Sequence, residues 1–141
     1  MRPISKVVVH CSATPDFQDV GFKEINAWHL EKGWKGPSGI GSGYHYIIRR
    51  NGTVEVGRMP DEAGAHVQGA NFDSVGVCLI GTHEFNESQI KSLRRVILSL
   101  LAMFPGSKVY EHRQFPSAKK QGKTCPNMDV GAVLGITLGV V

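Results

Sequence analysis

The stretch from Tyr44 to Arg58, YHYIIRRNGTVEVGR, constrains the fold more than any other segment. Two β-rich runs flank Asn51-Gly52, the dipeptide that best fits a tight type I′ turn, because both positions of that turn need positive φ. The segment therefore reads as a hairpin. Further strands are written around it. KVVVHC (6–11) and VGVCLIG (75–81) are short apolar runs of the kind that lie buried in a sheet, and KVYEH (108–112) is a shorter strand.

Helical patterns separate these strands. From Phe22 to Lys32, Ile25, Trp28 and His29 share a face at i, i+3 and i+4, with Gly33 as a stop. A second helix starts near Glu87. Asn86 is a good N-cap, Gln89 completes a capping-box variant, and Phe85 and Ile90 occupy the staple positions. Ile90, Leu93, Ile97, Leu101 and Phe104 then run down one face until Pro105-Gly106 ends it. The order strand, helix, hairpin, strand, helix, strand predicts an α/β fold. It is a single domain over residues 1–141, with a central mixed β-sheet flanked by α-helices.

Three segments resist assignment to an element. GWKGPSGIGSG (33–43) reads as a mobile loop, since it lacks the lysine of a phosphate-binding loop. RQFPSAKKQGKTCPNMD (113–129) reads as an irregular loop. Asp129 could cap a last helix, but VGAVLGITLGVV is rich in Gly and β-branched residues and is a poor helix by propensity.

The net charge of +4 favours anionic partners, such as nucleic acid, acidic membranes or acidic wall polymers. The basic residues are scattered, however, with Arg113, Lys119, Lys120 and Lys123 the densest group, so charge alone does not make a nucleic-acid binder. Three cysteines, an odd count without regular spacing, argue against a disulfide framework and for reduced thiols or a thiolate ligand. MRPISKVVVH has no apolar stretch long enough for a signal peptide, and no segment is long enough to span a membrane. The expectation is a protein held in the cytosol until something lets it out.

Of the six histidines, His10 and His112 each close a strand just before a loop, where sites in such sheets form. Cys125 lies in the loop after His112. The three could meet at one sheet edge and suit zinc: neutral imidazoles and a thiolate match its softness, and three protein ligands leave a position for water. The competing reading is structural, with each His satisfying a backbone group and the Cys serving as a small hydrophobe. No CxxC or HExxH spacing decides between them.

Other candidates are Tyr44, which could donate a hydrogen bond to a reacting group, and Lys123, which could stabilise an oxyanion. His66 sits in GAHVQG, a loop that could line a cleft. His29 reads as a partly buried helix residue, His45 as pointing away from Tyr44, His83 as surface and Cys78 as core.

VVVHCSAT, INAWHLEKGW, GYHYIIRRNGTVEVGR, GAHVQG, SVGVCLIG, EHRQF and KTCP occur in that order. Together they resemble the zinc-dependent N-acetylmuramoyl-L-alanine amidases, most closely the bacteriophage amidase lysozymes (endolysins) and more distantly the peptidoglycan recognition proteins. The resemblance runs from about Lys6 to about Asp129. It implies a Zn2+ ion held by His10, His112 and Cys125, catalytic roles for Tyr44 and Lys123, and a substrate contact at His66. The reaction implied is hydrolysis of the amide between N-acetylmuramic acid and L-alanine in peptidoglycan. A monomer is expected, made in the host bacterial cytoplasm and reaching the wall after membrane permeabilisation, with no membrane insertion and no direct nucleic-acid contact. The alternatives are a peptidoglycan-binding module without catalysis, which the presence of Cys125 disfavours, and a regulator that binds and inhibits a phage RNA polymerase. The resemblance to the phage members also implies a phage RNA polymerase as a further partner, bound and inhibited through the N-terminal segment. Here only nine residues precede His10, and the stretch between Trp34 and Tyr44 is expanded. In VVVHCSAT, adjacent strand residues face opposite ways, so His10 is expected to face the metal and Cys11 the packing behind it.

Overall fold

Val7, Val8 and Val9 are fully buried because their strand has a parallel neighbour on each side. In the computed structural model, which describes residues 2–141, β1 (Lys6–Cys11) lies between β4 (Ser74–Leu79) and β5 (Lys108–Glu111). Parallel sheets covered on both faces favour such continuous β-branched runs. Strands β2 (Tyr46–Ile48) and β3 (Val54–Val56) complete a five-stranded sheet of order β3-β2-β4-β1-β5. Only the β2–β3 pair is antiparallel, so the sheet is mixed, as expected.

Alternation divides the sheet residues between two cores. Val7, Val9, Val75, Val77, Leu79, Ile48 and Val109 pack against one helical layer. That layer is α2 (Glu87–Met103), through Leu93, Ile97 and Leu100, and the short α4 (Val130–Leu134), through Val130 and Leu134. Each such side chain, fully buried, is worth about 1.5–3 kcal/mol over its exposed state. The opposite face carries two smaller clusters. One gathers Val20, Ile25, Ile47, Cys78 and Ile80 under α1 (Phe22–Glu31), and the other gathers Val8, Tyr110, Phe115 and Ala118 under α3 (Pro116–Lys120). His10 belongs to this second face.

The α2 start is as written in the sequence. Asn86 accepts from Gln89 N at 2.9 Å, Gln89 Oε1 accepts from Asn86 N at 3.3 Å, and Gln89 Nε2 donates to Ile80 O at 2.8 Å. The capping glutamine thereby also ties the helix to the end of β4.

Four expectations need correction. The hairpin turn is not type I′. Arg49 N donates to Thr53 O and Gly52 N to Arg49 O, both at 2.9 Å, enclosing the three-residue loop Arg50-Asn51-Gly52. Gly52 takes φ +89° and Asn51 does not take positive φ, which is the type I turn with a glycine bulge. In α2 the buried residue is Leu100, with Leu101 only half-buried, because Leu93, Ile97, Leu100 and Phe104 make the tighter stripe. The 113–129 segment is not wholly irregular: a 3-10 turn spans His112–Gln114, and α3 begins on Pro116 at its first position, where the missing N–H costs nothing. The weak tail forms α4, capped by Asp129, which accepts from Ala132 N at 3.0 Å. Burial of Val130 and Leu134 outweighs poor propensity there.

Candidate functional site

His10 is the fifth residue of β1, and His112 follows the last residue of β5. The two strands are parallel neighbours, so both histidines arrive at the same sheet edge, with ring centroids 4.4 Å apart. Cys125 reaches them on the return of the chain after α3. Arg113 N donates to Cys125 O at 3.0 Å, and Cys11 N to Cys125 Sγ at 3.2 Å. The sulfur stands 3.5 Å from His112 Nδ1. One donor atom from each of His10, His112 and Cys125 falls within 4.8 Å of the others. Two ligands about 2.0–2.3 Å from a shared tetrahedral ion lie about 3.3–3.8 Å apart, so a set within 4.8 Å would need modest side-chain movement to hold such an ion.

The electrostatics suit a cation. Burial, then the neighbouring His66 and His112, hold His10 well below its usual range, and burial with the Lys123 charge holds His112 at about 4. Both rings are therefore neutral at pH 7, as ligands must be. The neighbouring Cys11 thiol, then burial, raises the Cys125 thiol, while the Cys125 side chain lowers that of Cys11. A bound divalent cation would draw the thiolate onto Cys125.

Tyr44 stands beside His10, ring centroids 5.1 Å apart, and burial raises its hydroxyl well above the ordinary value. It is thus a proton donor at neutral pH. Its position is set by α1. Asn26 Oδ1 accepts from Gly41 N at 2.7 Å and Ser42 N at 3.0 Å, and His29 Nδ1 accepts from Gly43 N at 2.8 Å. A side chain at Gly43 would strike the Ala65 carbonyl. Buried Arg58 fastens the same loop through the carbonyls of Trp34, Gly41 and Ala63. Sequence reading assigned Asn26 and Arg58 no part, because nothing in their spacing points to a loop so far along the chain.

Lys123 is exposed and turns into the site from the loop after α3, where its N–H donates to Ala118 O at 2.9 Å. The resulting cleft of about 880 Å³ is lined by Trp28, Trp34, Tyr44, His66, His112 and Lys123 among others. Trp28 is not packed with Ile25 and His29 as its spacing suggested. It is 40% exposed, as is Trp34, and both open on the cleft. His66 lies in the cleft wall with both nitrogens engaged, Nδ1 at 2.8 Å from His10 Nε2 and Nε2 at 3.1 Å from Ser74 Oγ.

The remaining residues keep structural places. Cys78 is fully buried, His83 is exposed, and His45 accepts from Gly76 N at 3.0 Å while its Nε2 faces Glu62 O at 2.7 Å. Cys11 stays outside the group of three, though its sulfur lies against Cys125 rather than wholly in the packing behind.

Comparison with known proteins fits this arrangement. The family model described as N-acetylmuramoyl-L-alanine amidase matches residues 1–128. The endolysin of Klebsiella phage KP32 is 40% identical over 134 residues, covering 89% of this chain and 82% of the relative. The endolysin of Escherichia phage T7 is 39% identical over 132 residues, covering 88% and 81%. Among solved structures, the N-acetylmuramoyl-L-alanine amidase LysC from Clostridium intestinale URNW superposes with TM-score 0.75 at 22% identity, covering 96% of this chain and 88% of that one. Wild-type Drosophila PGRP-LB gives 0.77 at 23%, covering 98% and 85%. These two likenesses establish the shared fold.

Proposed function

Since the chain belongs to the N-acetylmuramoyl-L-alanine amidase family, we propose that it is a zinc-dependent endolysin that hydrolyses the amide between N-acetylmuramic acid and L-alanine. The observation that carries this reading is the convergence of His10, His112 and Cys125, of which His112 and Cys125 line the cleft. Zinc bound there would supply a Lewis acid for the scissile carbonyl and lower the pKa of a water toward ~7.

The chain's own residues supply the rest. Lys123, on the cleft rim, stabilises the oxyanion that develops as the carbonyl is attacked. Tyr44, kept protonated by burial, orients the attacking water through its hydroxyl. Trp28 and Trp34 offer apolar faces against which a glycan or peptide stem can lie. The basic charge favours an anionic wall. Among the described residues no helix is long and apolar enough to cross a membrane.

The test is metal content set against wall binding and cleavage. The purified protein should take up one zinc per chain, and Cys125→Ser should still bind peptidoglycan while losing cleavage. Full activity in Cys125→Ser would refute the ligand assignment.

A further inference from the structure

The geometry points to His66 as a positioning residue that fixes the tautomer of His10, through a hydrogen-bond relay ending on the Ala70 carbonyl. The role rests on the metal-site reading above. A carbonyl can only accept, so the single hydroxyl proton of Ser74 is committed to Ala70 O, 2.6 Å away. Ser74 Oγ then presents a lone pair to His66 Nε2 at 3.1 Å, and that nitrogen must donate. His66 Nδ1 is left with its lone pair, 2.8 Å from His10 Nε2, which must donate in turn. His10 therefore carries its proton on Nε2 and keeps Nδ1 free for the ion. A ligand histidine is oriented by just such a partner on its other nitrogen.

The relay has a built seat. A Cβ on Gly76 would lie 2.7 Å from His66 Cγ, and one on Gly64 would lie 2.7 Å from His66 Cδ2, so the ring rests on bare backbone. Asn71 Oδ1 accepts from His66 N and Val67 N, both at 2.8 Å, which pins the main chain that carries the ring. His66 is half of a buried pair with His10, and neither of its nitrogens is free for substrate.

His66→Asn places an amide oxygen where Nδ1 lies and keeps the acceptor, whereas His66→Leu removes it. Zinc dissociation constants should be measured by competition with a chromophoric chelator, together with the ring 15N resonances of His10 in the metal-free protein. His66→Leu should weaken zinc about 10–100-fold and leave His10 a mixture of tautomers. His66→Asn should stay near the unsubstituted protein, with the His10 proton on Nε2. If His66→Leu does not fold, Ser74→Ala, which leaves both rings in place, should give the same mixed tautomers and weaker zinc. Unchanged zinc affinity in the folded variants, equal losses in Leu and Asn, or a His10 proton on Nδ1 in the unsubstituted protein would overturn the relay. No zinc uptake by the unsubstituted protein would overturn the metal-site reading and this role with it, a failure distinct from lost discrimination between the variants.

Discussion

Lys123 and Tyr44 both line the cleft, one exposed and one largely buried, and their substitution should separate two effects. Lys123→Ala should lower kcat about 10²–10³-fold, the usual cost of losing an oxyanion donor, with KM nearly unchanged. A raised KM at normal kcat would instead make it a substrate-binding residue. Tyr44→Phe, which keeps the ring and removes the hydroxyl that holds the attacking water and its proton, should lower kcat about 10²–10⁴-fold, and an unchanged kcat would remove Tyr44 from that role. Steady-state rates on purified wall decide both. His10, His112 and Cys125 were legible in the sequence as ligand types at strand ends or in the following loop. Asn26, Arg58 and Ser74 were not, because each acts on a partner brought near only by the fold, as when Asn26 holds the backbone of Gly41 and Ser42.

At the scale of elements, the long and strongly patterned ones were the readable ones. Helix α2 carried its cap, staple and stripe in one contiguous stretch. Helices α3 and α4 have five residues each and exist because Ala118, Val130 and Leu134 are buried by neighbours, which propensity cannot register. The hairpin turn was located correctly but its type was not, since Asn-Gly also fits the position before a bulge. The exposed neighbours of Gly52 gave no sign that Ser88 O would lie 2.8 Å from any Cβ placed there. Two truncations test the α2 stripe. Leu100→Ala should cost about 2–5 kcal/mol and Leu101→Ala clearly less, both by urea unfolding. Equal losses would mean that the helix is rotated from the face described.

For the whole molecule, one sheet edge gathers the chemistry because β1 and β5 are parallel neighbours, and that much follows from a strand order the sequence does not state. The fold also buries histidines outside the group of His10, His112 and Cys125. His29 and His45 are both depressed to about 4 from 6.5, chiefly by burial, and each accepts a backbone N–H at Nδ1. The unfolded chain takes up these protons below 6.5 while the folded chain does not. Their contribution is therefore complete above pH 6.5 and drains away as the pH falls toward about 4. The melting temperature should be level above that window and fall within it, and a level profile down to pH 4 would show that neither ring is held neutral.

If a metal at His10, His112 and Cys125 drives cleavage of an amide in peptidoglycan, removing the metal must remove the new amino ends. Purified cell wall should be digested with the protein before and after stripping by a strong chelator, and after adding zinc back, with the new chain ends identified. New alanine amino groups should appear, be lost on stripping and be restored by zinc. New reducing sugar ends, or digestion indifferent to the chelator, would contradict that reading.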